Sequence, residues 1–107
     1  MPISFDSEKK IFKLDTKDSS YVIQIFEQGY LLHLYYGDYI PDTNLSMHKY
    51  KGRFASPCPS NIHIDDDYFS PDVSMFEYPC EGTGDFRDTC LAIRNADGNN
   101  STDMRYK

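Results

Sequence analysis

The 107-residue chain predicts an all-β fold, an antiparallel β-sandwich with a long proline-rich central loop, and three features point there. It carries nine Tyr and seven Phe but no Trp, and aromatic and β-branched residues favour a pleated, half-buried surface over a helix. Apolar runs of strand length are separated by short polar turns at both ends of the sequence. Along the run from Tyr30 to Tyr36, residues Tyr30, Leu32, Leu34 and Tyr36 share one face, and Leu31, His33 and Tyr35 share the other. Both faces are apolar enough to need cover, which implies two packed layers. The length fits one domain over residues 1–107.

Taken in order, Ile3–Phe5 and Lys10–Leu14 read as a first pair of strands around a tight turn at Asp6-Ser7-Glu8-Lys9. Lys17-Asp18-Ser19 is the next turn, and Tyr21–Phe26 the third strand. Gly29 breaks the run before Tyr30–Tyr36. Residues 40–79 hold five of the six prolines and read as long loops, with one helical turn at Leu45–Tyr50 capped by Asn44. A loop of that length in a compact domain is functional or disordered. The end reverts to a hairpin, Cys90–Arg94 and Ser101–Tyr106, around an Asp97-Gly98 turn in which glycine supplies the positive φ. Thr102–Lys107 reads as a strand cut while still pairing, leaving apolar surface uncovered around Tyr30, Leu32 and Leu34.

A formal charge of −6 argues against nucleic acid, which needs clustered Lys and Arg against phosphate. Met1–Asp6 lacks the basic start and apolar run of a signal peptide, and no segment is long and apolar enough to span a bilayer. Three cysteines do not make a closed disulfide framework. A bacterial cytoplasm, where thiols stay reduced, is the expected compartment.

Asp85-Phe86-Arg87 is the first constellation to weigh. On a strand, Asp85 and Arg87 project from one face and pair while Phe86 enters the core. A structural ion pair outweighs a role in a subunit contact, because such pairs commonly organise loops without doing chemistry. With 17 acidic residues, some carboxylates will be neighbours by chance, so proximity alone identifies no glycosidase pair. Asp65-Asp66-Asp67 fails the EF-hand pattern, with Ser70 and Phe76 where Gly and Glu are required. His33, His48, His63, Cys58, Cys80 and Cys90 lack paired zinc-ligand spacing, so no metal is expected. Tyr35, Tyr36, Tyr39 and Tyr50 are candidates for a sugar-binding platform, although strand tyrosines more often pack with the hydroxyl reaching water.

Several motifs occur in a fixed order: Lys10–Leu14, Ser20–Gln24, Gly29–Gly37, Ser56-Pro57-Cys58-Pro59, and Glu77–Arg87 with its Gly82-Thr83-Gly84-Asp85-Phe86-Arg87 core, then Asn95–Gly98 and Thr102–Lys107. Together they resemble the opening segment of bacterial α-galactosidases of glycoside hydrolase family 36, over roughly Phe5 to Lys107. The resemblance implies the first part of a β-supersandwich that precedes a (β/α)₈ barrel. It implies a parent enzyme that removes terminal α-galactose from oligosaccharides such as melibiose and raffinose with retention, and needs no cofactor. Both catalytic aspartates of that family lie on the barrel, so no residue here inherits a catalytic role. An acidic residue just ahead of an arginine reaches substrate in a neighbouring subunit in some relatives. Gly52 stands at that position here, which leaves Gly52 and Arg53 as a candidate substrate-binding region without the carboxylate. The chain also departs at Tyr36, where the family has Trp, at Glu81, where it has an aromatic, and at Asp88-Thr89, where it has Pro. Homo-oligomerisation follows from the same resemblance. The alternative is a free-standing β-sandwich that binds carbohydrate and catalyses nothing.

Overall fold

The computed structural model describes residues 2–42, 44–49, 70–82 and 84–107. They fall into two compact units, Met1–Lys49 with Arg105–Lys107, and Tyr50–Met104. The first unit is one four-stranded antiparallel sheet in the order β1-β2-β3-β4, from Ile3–Asp6, Ile11–Asp15, Ser19–Ile25 and Leu31–Asp38.

Short polar residues close each turn. Asp6 ends β1 and its Oδ1 accepts the backbone N–H groups of Glu8 and Lys9, both at 3.0 Å, so the side chain stands in for a backbone acceptor. Between β2 and β3, the Thr16 hydroxyl accepts from the Ser19 N–H at 2.9 Å, while the Thr16 N–H donates to the Ser19 carbonyl at 2.8 Å. Gly29, at φ +87°, allows the turn that returns the chain from β3 to β4.

The pairing fixes which side chains share a face. Ile11, Gln24 and Leu32 align across the sheet, as do Lys13, Val22 and Tyr35. Here lies the core of this unit: Ile11, Val22, Leu34 and Leu45 cluster, with Tyr35 and Ile40 against them. Each such buried aliphatic side chain contributes about 1.5–3 kcal/mol. The register skips one residue of β4: Val22 faces Tyr35, but Ile23 faces His33. Leu34 is therefore the extra residue of a β-bulge, and side-chain alternation inverts beyond it. This corrects the simple alternation expected for Tyr30–Tyr36. Tyr35 joins Leu32 and Leu34 on the core face, and Tyr36 joins Leu31 and His33 on the other. Ring contacts agree, since Tyr21 lies 5.7 Å from His33 and 6.0 Å from Tyr36.

The opposite face carries Ile3, Phe5, Phe12, Leu14, Tyr21, Ile23, Ile25, Leu31, His33 and Tyr36, with Asp38 across from Ser19 at the end of β4. Ile3, Phe5 and Tyr36 are 62%, 47% and 72% exposed and those from Phe12 to His33 are half-buried. The expected apolar surface is thus displaced: Tyr30, Leu32 and Leu34 are buried, and the exposed apolar patch lies on the other side. The Tyr106 ring contacts Phe12 at 5.8 Å, and the Tyr106 N–H donates to the Gly29 carbonyl at 2.8 Å.

An unforeseen polar knot sits at one end of the core face. Lys13 Nζ meets Asp15 Oδ2 at 2.6 Å and lies 4.9 Å from the Tyr39 ring centre, with its side chain only 4% exposed. The Ser20 hydroxyl donates to Asp15 Oδ1 at 2.6 Å and accepts the Ile40 N–H at 3.1 Å, tying the segment after β4 to the sheet. A 3₁₀ turn follows at Ser46–His48 with Leu45 at its N-cap and no side-chain cap, so Asn44 does not play the expected role.

In the second unit, a 3₁₀ turn at Pro71–Val73 starts on proline, whose fixed φ suits that position. The expected terminal hairpin forms its turn but not its strands among the described residues. Asn95 N–H donates to the Asn99 carbonyl at 2.8 Å, Gly98 N–H to the Asn95 carbonyl at 2.9 Å, and Asn95 Nδ2 to Asn99 Oδ1 at 2.8 Å. Asn and Asp side chains here bond to nearby backbone groups in place of a strand ladder, as the Asp97 carboxylate does with the Asn99 N–H. Thr102 instead donates its N–H to the Glu81 carbonyl at 2.9 Å. Residues 50–69, half of the expected proline-rich loop, lie outside the described residues.

Candidate functional site

The second unit contains the residues that the sequence singled out most sharply. Asp85 and Arg87 pair through two charged contacts, Arg87 Nε to Asp85 Oδ1 at 2.8 Å and Arg87 Nη2 to Asp85 Oδ2 at 2.7 Å. The Arg87 backbone N–H also donates to Asp85 Oδ1 at 3.1 Å. That last bond makes the segment a tight Asx-type turn, so the expected strand at this position is absent. A turn sends the intervening side chain outward: Phe86 is 72% exposed and does not enter a core. The Asp85 side chain is fully buried, while that of Arg87 is about one-third exposed.

Arg87 also reaches back along the sequence. Its Nη2 donates to the Pro71 carbonyl at 3.1 Å, and its guanidinium lies 5.6 Å from the Phe76 ring centre. One bidentate arginine therefore clamps the 84–89 loop to the Ser70–Phe76 segment. Just before the loop, Gly82 at φ +88° admits the close approach of Ser101, whose side chain a Cβ there would run into. The loop borders an open hollow of about 700 Å³.

This arrangement can hold a loop; it offers nothing to polarise a substrate. Asp85 spends its oxygens on Arg87. Asp15 is engaged in turn by Lys13 and by the Ser20 hydroxyl, and these hydrogen bonds hold its carboxyl below the usual carboxylate range. Such a group stays ionised at neutral pH and is no general acid. Among the described residues no group of three or more His, Cys, Asp or Glu side chains could hold a metal ion. Asp65-Asp66-Asp67, His63, Cys58, Tyr50, Gly52 and Arg53 lie outside the described residues. Cys80 is buried and Cys90 exposed. The described tyrosines do not form a platform, since the adjacent Tyr35 and Tyr36 point to opposite faces of the sheet. Tyr35 lies on the core face and donates its hydroxyl to the Asp38 carbonyl at 2.9 Å, and Tyr39 covers Lys13. Tyr36 faces the other way, at 79° to Tyr21 beside a shallow depression, so the rings share no plane on which a sugar could stack.

Residues 29–107 match the family described as the glycosyl hydrolase family 36 N-terminal domain. The chain belongs to that family. It is 42% identical to the bifunctional alpha-galactosidase/sucrose kinase AgaSK of Mediterraneibacter gnavus over all of its own length and 11% of that protein. It is 34% identical to alpha-galactosidase AgaA of Geobacillus stearothermophilus, covering all of this chain and 14% of that one. Among solved structures, the galactosidase domain of AgaSK superposes with a TM-score of 0.84 at 38% identity, over 99% of this chain and 15% of that one. The family 36 alpha-galactosidase AgaB of Geobacillus stearothermophilus gives 0.81 at 36% identity, over 100% and 14%. An AgaA variant bound to raffinose gives 0.76 at 36% identity, over 92% and 13%. The chain thus spans about one-seventh or less of the relatives it matches. A structural clamp at Asp85 and Arg87 is consistent with a family 36 N-terminal domain.

Proposed function

We propose that this chain is the non-catalytic N-terminal domain, residues 1–107, of an α-galactosidase that removes terminal α-galactosyl residues from oligosaccharides such as raffinose and melibiose with retention. The observation that carries the reading is a match to family 36 enzymes over the whole chain but only 11–15% of AgaSK and 14% of AgaA and AgaB. The catalytic carboxylates of the enzyme then lie outside these residues. The domain contributes fold and subunit contacts within a cytoplasmic homo-oligomer, and the region of Gly52 and Arg53 is its candidate approach to substrate.

The apolar face of the sheet supports a sandwich. A face with Phe5, Phe12, Leu14, Ile23 and Ile25 at its centre, and a carboxylate only at the end of β4 in Asp38, suits a second layer about 10 Å away. A free-standing sugar-binding module is disfavoured, because its tyrosines lie on opposite sides of the sheet. The test is release of nitrophenol from a nitrophenyl α-galactoside. The isolated chain should release none, whereas a protein from the complete reading frame should turn over. Turnover by the isolated chain would refute the assignment.

A further inference from the structure

Among the described residues β1 ends the sheet on one side, and its backbone there has a defined direction. The Pro2 carbonyl accepts the Asp15 N–H at 3.0 Å, so Pro2 and Asp15 are a hydrogen-bonded pair of the ladder. Such pairs alternate with open ones along an antiparallel strand. Ser4 and Asp6, opposite Lys13 and Ile11, therefore turn their N–H and C=O groups to β2, and Ile3 and Phe5 turn theirs away from the sheet. Pro2 does not interrupt that outer row, since the N–H it lacks would have pointed at β2. Natural sheet edges are blunted by lysines, prolines or bulges. β4, at the opposite end of the sheet, carries the bulge at Leu34. The outer row of β1 has none of these: Ile3-Ser4-Phe5 is uncharged, extended and exposed. Phe5 is held by its stack on Phe12, with ring centres 4.4 Å apart. The segment is also nearly symmetric about Ser4, with one apolar residue on each side.

We propose that β1 is an interaction edge that pairs with β1 of a second copy of this chain, antiparallel about a two-fold axis through Ser4. Ile3 of each copy then faces Phe5 of the other, and each of these two pairings exchanges two backbone bonds, so the N–H and C=O of both outward residues find partners. The Ile3 and Phe5 side chains meet across the seam and join the two apolar sheet faces into one. The two Ser4 residues meet on the other face. Asp6 falls opposite Pro2, so no like charges stand across from each other, and its Oδ1 is turned back to the Glu8 and Lys9 N–H groups. The seam gives the proposed homo-oligomer a specific contact; it rests on that part of the proposed function and not on the glycosidase chemistry.

The test uses the protein of the complete reading frame. Ser4→Cys places two thiols at the axis, where facing residues of an open pair lie about 4.5 Å apart between Cα atoms, within disulfide range. After mild oxidation, trypsin cleavage at Lys9 separates residue 4 from Cys58, Cys80 and Cys90, so a link between the two copies of residue 4 is read directly by mass spectrometry. That link is expected. Ile3→Cys should not link to itself, because those two residues stand two positions apart along the seam. Ile3→Pro deletes two of the four seam bonds and leaves every bond from β1 to β2 in place, so it should weaken self-association about tenfold or more. A Ser4→Cys protein without the 4–4 link, or an equally strong 3–3 link in Ile3→Cys, would overturn the proposal. So would Ile3→Pro assembling like wild type in sedimentation over a concentration series. Hydrolysis of a nitrophenyl α-galactoside by the same samples reports separately on the enzyme assignment.

Discussion

Removing either partner of the Asp85–Arg87 pair should destabilise the chain, but by unequal amounts. In Arg87→Ala, a carboxylate whose side chain is fully buried keeps only the Arg87 backbone N–H as partner. Stranding a buried charge in this way costs about 3–5 kcal/mol. The contacts to the Pro71 carbonyl and the Phe76 ring are lost as well. In Asp85→Ala, the orphaned guanidinium is about one-third exposed and retains Pro71, so water takes over part of the lost bonding. That loss should be about 1–3 kcal/mol. The double variant removes the stranded carboxylate and should be less damaged than Arg87→Ala alone. Urea unfolding followed by tyrosine fluorescence, with no Trp to mask it, measures all three. Equal losses below about 1 kcal/mol that add in the double variant would show a solvent-exposed pair and refute the clamp.

Asp15 should make stability pH-dependent. Its folded pKa lies below the unfolded value of about 3.9, so its contribution is present above that value and is lost as pH falls through the folded pKa. Acid titration of thermal unfolding should show this loss, and Asp15→Asn should remove it. Gly82→Ala should cost more than Gly98→Ala in the same unfolding assay: both glycines have positive φ, worth about 1–3 kcal/mol to a side chain, but only Gly82 also faces Ser101. The isolated chain should self-associate through its apolar sheet face, and Phe5→Lys or Tyr36→Lys should shift it towards monomer in light scattering. A wild-type monomer at high concentration would count against that role for the face.

Much of the first unit was legible because its signals are local. Polar turns at Asp6–Lys9 and Lys17–Ser19 and β-branched runs between them locate the strands within a residue or two. The bulge at Leu34 was not legible, since a skipped residue depends on pairing with Val22 and Ile23 and leaves no mark in β4 itself. It moved Tyr35 and Tyr36 to exchanged faces, while Leu32 and Leu34 kept theirs and are buried there, Leu34 against Leu45 and Ile40. The Lys13–Asp15 pair was missed because alternation places a lysine outward by default. Asp85 and Arg87 were readable as a pair from their spacing, but a strand and a turn both bring residues two apart together. The Arg87 backbone N–H on Asp85 Oδ1 and the exposed Phe86 are what distinguish the turn. The hairpin expected at Cys90–Tyr106 failed as strands because its Asn and Asp side chains satisfy the backbone locally.

The central claim is that these residues serve an enzyme whose chemistry lies elsewhere in its chain. Proton NMR of raffinose during its first minutes with the protein of the complete reading frame tests it most directly. The account predicts that galactose appears first as the α-anomer, as a double-displacement glycosidase requires, and that the 107-residue chain alone leaves raffinose intact. Galactose released first as the β-anomer, no hydrolysis by the complete protein, or hydrolysis by the isolated chain would contradict it.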